Sequence, residues 1–92
     1  MLEIVLSNRF KRDLKRAVRR GRDTAILEAV VNTLAEQRPL PESNRDHALT
    51  GDWSGYRECH IQPDWLLIYQ VHERELVLLL MRTGTHADLF ES

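Results

Sequence analysis

Five consecutive residues, Trp65-Leu66-Leu67-Ile68-Tyr69, are large and apolar, so a strand built from them carries apolar side chains on both of its faces. Such a strand belongs in the middle of a sheet with cover on each side. Residues 56–61 and 76–82 read as its neighbours, and the central strand itself as 65–71. The connections, Gln62-Pro63-Asp64 and His72-Glu73-Arg74-Glu75, are short enough for hairpins. A three-stranded antiparallel meander is the simplest arrangement. Within 56–61, Tyr56, Glu58 and His60 point one way while Arg57, Cys59 and Ile61 point the other, so His60 and Cys59 cannot share a face.

The N-terminal half supplies cover for one face. Residues 2–6 are a short run rich in branched side chains and read as a first strand. From Ser7, a candidate N-cap, Phe10, Leu14, Ala17 and Val18 recur at helical spacing, with basic residues filling the other faces to position 20. Gly21 ends that helix. Asp23 or Thr24 caps a second one, whose stripe of Ile26, Leu27, Val30, Val31 and Leu34 runs to about Gln37 before Pro39 and Pro41 stop it. The short link predicts an antiparallel helical hairpin. Residues 38–55 read as a long surface connection and a candidate site wall. Thr85 and Asp88 stand at capping-box spacing for one helical turn in the tail. The expected fold is α+β: one domain over residues 1–92, with the first strand joining a small antiparallel sheet at its edge and the helical hairpin packed on one face.

Composition narrows the function classes. Apolar residues at 42% and charged residues at 29% are the balance of a soluble globular protein. No apolar run approaches the roughly 20 residues of a membrane span, and the N-terminus lacks the basic start of a signal peptide, so no membrane contact and a cytoplasmic location are expected. Cys59 is the single cysteine and reads as a small buried hydrophobe. Charge is unevenly spread. Residues 1–22 hold eight Lys/Arg against two acids, and the remainder holds five against twelve. A basic N-terminal third can meet phosphate even in a chain of net charge −1.

Chemistry concentrates where the strands and loops end. His47 lies in the long connection, His60 near the end of its strand and His86 past the last strand, and a meander can gather them with Asp64 at one end of the sheet. Histidine titrates near neutrality and can accept a proton in one step and return it in another. Cleavage of an RNA backbone needs both transfers: the ribose 2′-hydroxyl loses a proton as it attacks phosphorus, and the 5′-oxygen leaves on gaining one. Arg82 could neutralise charge on the phosphate oxygens, and Trp65 and Phe90 offer flat faces on which unpaired bases stack. Trp53 and Tyr56 read as packing residues and His72 as a solvated turn residue. A metal site made from the three histidines and Asp64 is chemically conceivable, but none of their spacings advertises one. The acid/base reading, with no cofactor and no metal, is preferred.

The segment from His47 through Gly51, Gly55, Arg57, His60, Asp64 and Trp65 to Tyr69, with the tail Arg82-Thr-Gly-Thr-His86-Ala-Asp-Leu-Phe90, resembles the YafQ-type toxins of the RelE/ParE superfamily. The resemblance extends over nearly the whole chain and is most specific in the C-terminal half. It implies an mRNA interferase that cuts translated messages in the ribosomal A site, leaves a cyclic phosphate end and is silenced by a cognate antitoxin in a hetero-oligomer. By position it implies an acid/base set of His47, His60, Asp64 and His86, with His86 protonating the leaving oxygen. Trp65 and Phe90 would hold bases and Arg82 would face the phosphate. The helix over 7–20 would then dock on ribosomal RNA through Arg12, Lys15, Arg16 and Arg19. The rival class is a binding protein, either a ParE-like gyrase poison or an inert antitoxin partner, neither of which requires a histidine set.

Overall fold

The structure, a computed structural model, describes residues 1–90. Strand β1 (Glu3–Leu6) leads into helices α1 (Asn8–Arg19) and α2 (Thr24–Ala35). Strand β2 (His47–Ala48) follows, and then β3 (Arg57–Gln62), β4 (Trp65–His72), β5 (Val77–Gly84) and the short helix α3 (His86–Phe90). The strands form one sheet in the order β1-β5-β4-β3-β2. The antiparallel meander is β3-β4-β5, and β1 joins it at the edge, parallel to β5.

Local signals place these elements as expected. The Ser7 hydroxyl accepts the Phe10 N–H and donates to the Met81 carbonyl, so the same side chain caps α1 and ties it to β5. Asp23 caps α2 through the Ala25 N–H. Gly21, at φ +78°, closes α1: its N–H meets the Val18 carbonyl and that of Arg22 meets Ala17, the paired bonds of a left-handed helix stop. That stop aims Arg22 at the sheet.

β4 is covered on both faces. Trp65, Leu67 and Tyr69 pack with Cys59, Ile61, Leu78 and Leu80 beneath Phe10 and Ala17 of α1 and Leu27, Val30, Val31 and Leu34 of α2. Leu66 and Ile68 face the other way and lie beneath Leu49, Trp53, Tyr56, Met81 and Leu89. Trp53 and Tyr56 meet edge to face at 5.4 Å, the packing role read for them from sequence. Cys59 is buried as expected.

Two features differ from the sequence reading. Val18, read as part of the buried stripe, is 56% exposed, because α1 sits on its Phe10, Asp13 and Ala17 side and Val18 falls at the rim. Residues 38–55 carry two 3₁₀ turns, Glu42–Asn44 and Gly51–Trp53, and β2 pairs with β3 as a fifth strand. A two-residue strand has no hydrophobic period to read, so only its pairing reveals it.

Candidate active site

The site forms on the sheet face opposite α1 and α2, where β3 and β2 present polar side chains beside α3. His47 and Glu58 are register partners across β2 and β3, and Glu58 and His60 lie on the same face of β3. α3 brings its own histidine to meet them. The His60 and His86 rings have centroids 6.4 Å apart with planes tilted 59°, and Phe90 lies against His86 at 5.4 Å.

Two backbone carbonyls fix the state of the strand histidines. His47 Nδ1 lies 2.7 Å from the Arg45 carbonyl oxygen, and His60 Nδ1 lies 3.2 Å from that of Pro63. A carbonyl only accepts, so in both contacts Nδ1 carries the proton and Nε2 is left to exchange one. Both Nε2 atoms turn to the same carboxylate: Glu58 Oε1 is 3.5 Å from that of His47 and 3.9 Å from that of His60. Glu58 is only 3% exposed. One buried carboxyl group thus faces both ring nitrogens.

Glu58 is the residue that sequence reasoning passed over. Its face was read correctly, but a lone glutamate in a strand carries no signal until β2 is known to bring His47 opposite it. The wall is braced as well. The Asn44 side-chain amide donates to the His60 carbonyl at 2.7 Å. Asp46 takes the Tyr69 hydroxyl at 2.5 Å and Arg57 at 3.3 Å, fixing the 38–55 connection against β3 and β4. Burial, with the Asp46 contact second, pushes the Tyr69 hydroxyl far above its ordinary range.

Several expected site residues stand elsewhere or are already engaged. Trp65 is 1% exposed, its indole N–H donates to the buried Thr83 hydroxyl at 2.8 Å, and Arg22 lies over its ring. Strand alternation turns it toward α1 and α2, away from the face carrying His60, so the expectation that Trp65 offers a stacking surface is corrected. Arg82 donates from Nε and Nη2 to Asp13 at 2.8 and 2.9 Å, and Asp13 is buried between it, Arg16 and the Thr83 N–H. Its guanidinium is therefore already balanced, with Nη1 outside the pair. Arg16 is likewise held, 3.1 Å from Asp13 and 3.9 Å from Asp88, and so differs from the exposed Arg12, Lys15 and Arg19.

Asp64 is exposed and gripped by Arg22 at 3.1 Å. The hydrogen bond from Arg22, then its charge, lowers the Asp64 carboxyl below its ordinary range, so Asp64 is a standing anion and a weak proton acceptor. Of the four expected acid/base residues, the structure joins His47 and His60 through Glu58 and sets His86 beside His60, while the carboxylate of Asp64 turns to Arg22. Phe90 is 40% exposed. Among the described residues no group of three or more His, Cys, Asp or Glu is spaced to hold a metal ion.

Comparison with known proteins identifies the fold and the family. The family model described as a bacterial toxin of the type II toxin-antitoxin system, YafQ, matches residues 2–91. The mRNA interferase toxin YafQ of Escherichia coli is 40% identical over 89 residues, which are 96% of this chain and 95% of that protein. A metal-bound toxin from Helicobacter pylori, solved as a crystal structure, is 44% identical and superposes with a TM-score of 0.93, covering 98% of this chain and 100% of that one. In the crystal structure of the Escherichia coli DinJ-YafQ complex, the matching chain is 40% identical with a TM-score of 0.87, over 98% of this chain and 99% of that one.

Proposed function

The chain belongs to the YafQ family of type II toxins, and on that footing we propose that it is a ribosome-dependent endoribonuclease that cuts translated messenger RNA by proton transfer between imidazoles, with no metal ion in the chemistry. The carrying observation is the approach of the His60 and His86 rings to 6.4 Å, a spacing at which both rings can reach one phosphodiester group.

His60 Nε2, its tautomer set by the Pro63 carbonyl, accepts the 2′-hydroxyl proton, and Glu58 then faces the imidazolium that forms. His47 shares that carboxylate and can take or stabilise the same proton. His86 protonates the departing 5′-oxygen. The 2′-oxygen forms its bond to phosphorus as the 5′-oxygen bond breaks, so the upstream fragment ends in a 2′,3′-cyclic phosphate. Phe90 takes one base on its open face. Arg82 steadies the phosphate oxygens through Nη1 while Asp13 holds the rest of its fork. Asp64 acts as fixed charge rather than as an acid or base, and Trp65 holds the core beneath the site.

Arg12, Lys15 and Arg19 lie exposed on α1 and supply the cationic face for ribosomal RNA. The partner in the cell is a cognate antitoxin, as DinJ is for YafQ, and the pair forms a hetero-oligomer. Residues 1–92 act as one toxin domain. Work on translating ribosomes sets the location as cytoplasmic, and among the described residues no helix is long and apolar enough to cross a membrane.

The metal seen in the Helicobacter pylori relative bears on the mechanism, since an ion held by these imidazoles would occupy the lone pairs that proton transfer needs. The test is to incubate purified protein with message, with and without ribosomes, in magnesium buffer free of transition metals, and map the ends. Cyclic phosphate ends that need ribosomes support the proposal. Intact message in both arms, or cleavage only when zinc, copper or manganese is added, would sink it. DNA damage with uncut message in growing cells would favour the gyrase-binding class instead.

A further inference from the structure

α3 is five residues long, too short to be stable as an isolated helix. Its place in the site is therefore set by what it touches. One anchor is Leu89, buried against Leu66 and Ile68. A single apolar pin lets a short helix turn about it, and a turn of α3 would swing His86 and Phe90 together.

The second anchor is ionic and comes from α1. Arg20 Nη1 and Nη2 lie 2.7 and 3.3 Å from the two Asp88 oxygens, a two-pronged fork, and Arg16, one helical turn before Arg20, reaches Asp88 at 3.9 Å. Asp88 also accepts the Thr85 N–H at 2.9 Å while its own N–H donates to the Thr85 hydroxyl at 3.1 Å, so the carboxylate that grips α1 also closes the first turn of α3. Gly84 makes the approach possible. A Cβ there would stand 2.9 Å from both Cβ and Oδ2 of Asp88.

We propose that Arg20, backed by Arg16, is a positioning residue for the reaction: it clamps Asp88 and thereby sets where the His86 imidazole and the Phe90 ring stand relative to His60. The basic helix then divides its labour. Arg12, Lys15 and Arg19 face solvent, while Arg16 and Arg20 are structural parts of the site. Arg16 also contacts Asp13, the partner of Arg82, so one turn of α1 sets both the phosphate-facing guanidinium and the proton donor. The Arg20 hydrogen bond is the main cause that holds the Asp88 carboxyl far below its usual range, which keeps the clamp charged well into acid.

This inference rests on the proposed nuclease function, and two separable readouts test it in the full chain. The first is cleavage kinetics on ribosome-bound message. Arg20→Gln and Asp88→Asn should each lower kcat about ten- to hundredfold with little change in KM, the pattern of a displaced catalytic group. Arg20→Lys, which keeps charge but loses the fork, should recover part of the loss. Arg19→Gln should instead raise KM and weaken the salt dependence. The second readout is the ring resonances of histidine by NMR. His86 should shift in Arg20→Gln while His47, on the opposite side of Glu58, keeps its parent position. A folded Arg20→Gln variant with an unmoved His86 resonance, or with raised KM and parental kcat, would overturn the proposal. If the parent protein cuts no message, the nuclease reading falls and the His86 resonance alone decides the clamp. If Arg20→Gln does not fold, Asp88→Asn carries the same two comparisons.

Discussion

At the scale of single residues, the site is a set of protons whose positions are fixed by neighbours. The Arg45 and Pro63 carbonyls hold Nδ1–H on His47 and His60, and Glu58 faces both Nε2 atoms. Glu58→Gln keeps the shape and removes the charge. Cleavage should fall about ten- to a thousandfold with the fold intact, as expected when the group that stabilises a transient imidazolium is neutralised, and single-turnover rates measure it. Cys59 makes the opposite case. It is fully buried, and burial is the first cause that pushes its thiol up to about 12, with the Asp46 and Glu58 charges adding to it. Native protein at neutral pH should react with iodoacetamide far more slowly than protein in denaturant, and equal rates would contradict the burial. The strand-end positions of His60 and His86 made their gathering readable, as strand alternation did the face that His60 occupies. Trp65 was misplaced because a tryptophan beside a polar turn looks the same from sequence whether it stacks on a base or fills a core. Strand alternation decides, and it counts Trp65 with Leu67 and Tyr69.

At the scale of elements, α1 and α3 are the parts whose roles changed most between sequence and structure. The period of α1 and the capping box of α3 were legible, because both depend on spacing alone. The Arg20–Asp88 pair between them joins residues 68 positions apart, a distance that no local pattern encodes. Their charge carries a pH signature. The Asp88 carboxyl is held below its ordinary value of 3.8, with Arg20 the first cause and Arg16 a lesser one. A group whose folded value is depressed stabilises fully above its unfolded value and loses that contribution as pH falls through the lower one. The attachment of α3 should therefore hold from neutrality down to about pH 4 and loosen below it. His86 ring resonances followed into acid should show a second transition there, and Asp88→Asn should abolish it. On α1 itself, replacing Arg12, Lys15 and Arg19 by glutamine should weaken ribosome binding and flatten its dependence on salt by about three counterions. Unchanged binding at low salt would remove the helix from the docking surface.

At the scale of the whole molecule, one apolar strand organises everything else. β4 is buried on both faces, and its two covers differ in kind: two helices on one side, and on the other the Leu49–Tyr56 stretch with Leu89 of α3. The face that carries His60 and Glu58 thus also has the thinner cover. Ile68→Ala, in the middle of that face, should cost about 2–5 kcal/mol in a denaturant titration and lower cleavage through α3, whereas a loss below about 0.5 kcal/mol would mean the second cover is not packed. The α+β class and the meander followed from hydrophobic period and turn length. The pairing of β2 did not, since two residues between turns are too few to show alternation. The central claim is that imidazoles meeting between β3 and α3 carry both protons of an RNA cleavage. The measurement that bears on it most directly is the pH dependence of kcat for ribosome-bound message, in magnesium buffer free of transition metals, for the parent and for His86→Gln. A bell-shaped profile is expected for the parent, and a rate at least about a hundredfold lower with one limb missing for His86→Gln. A flat parental profile, or a His86→Gln enzyme with the parental bell and rate, would contradict it.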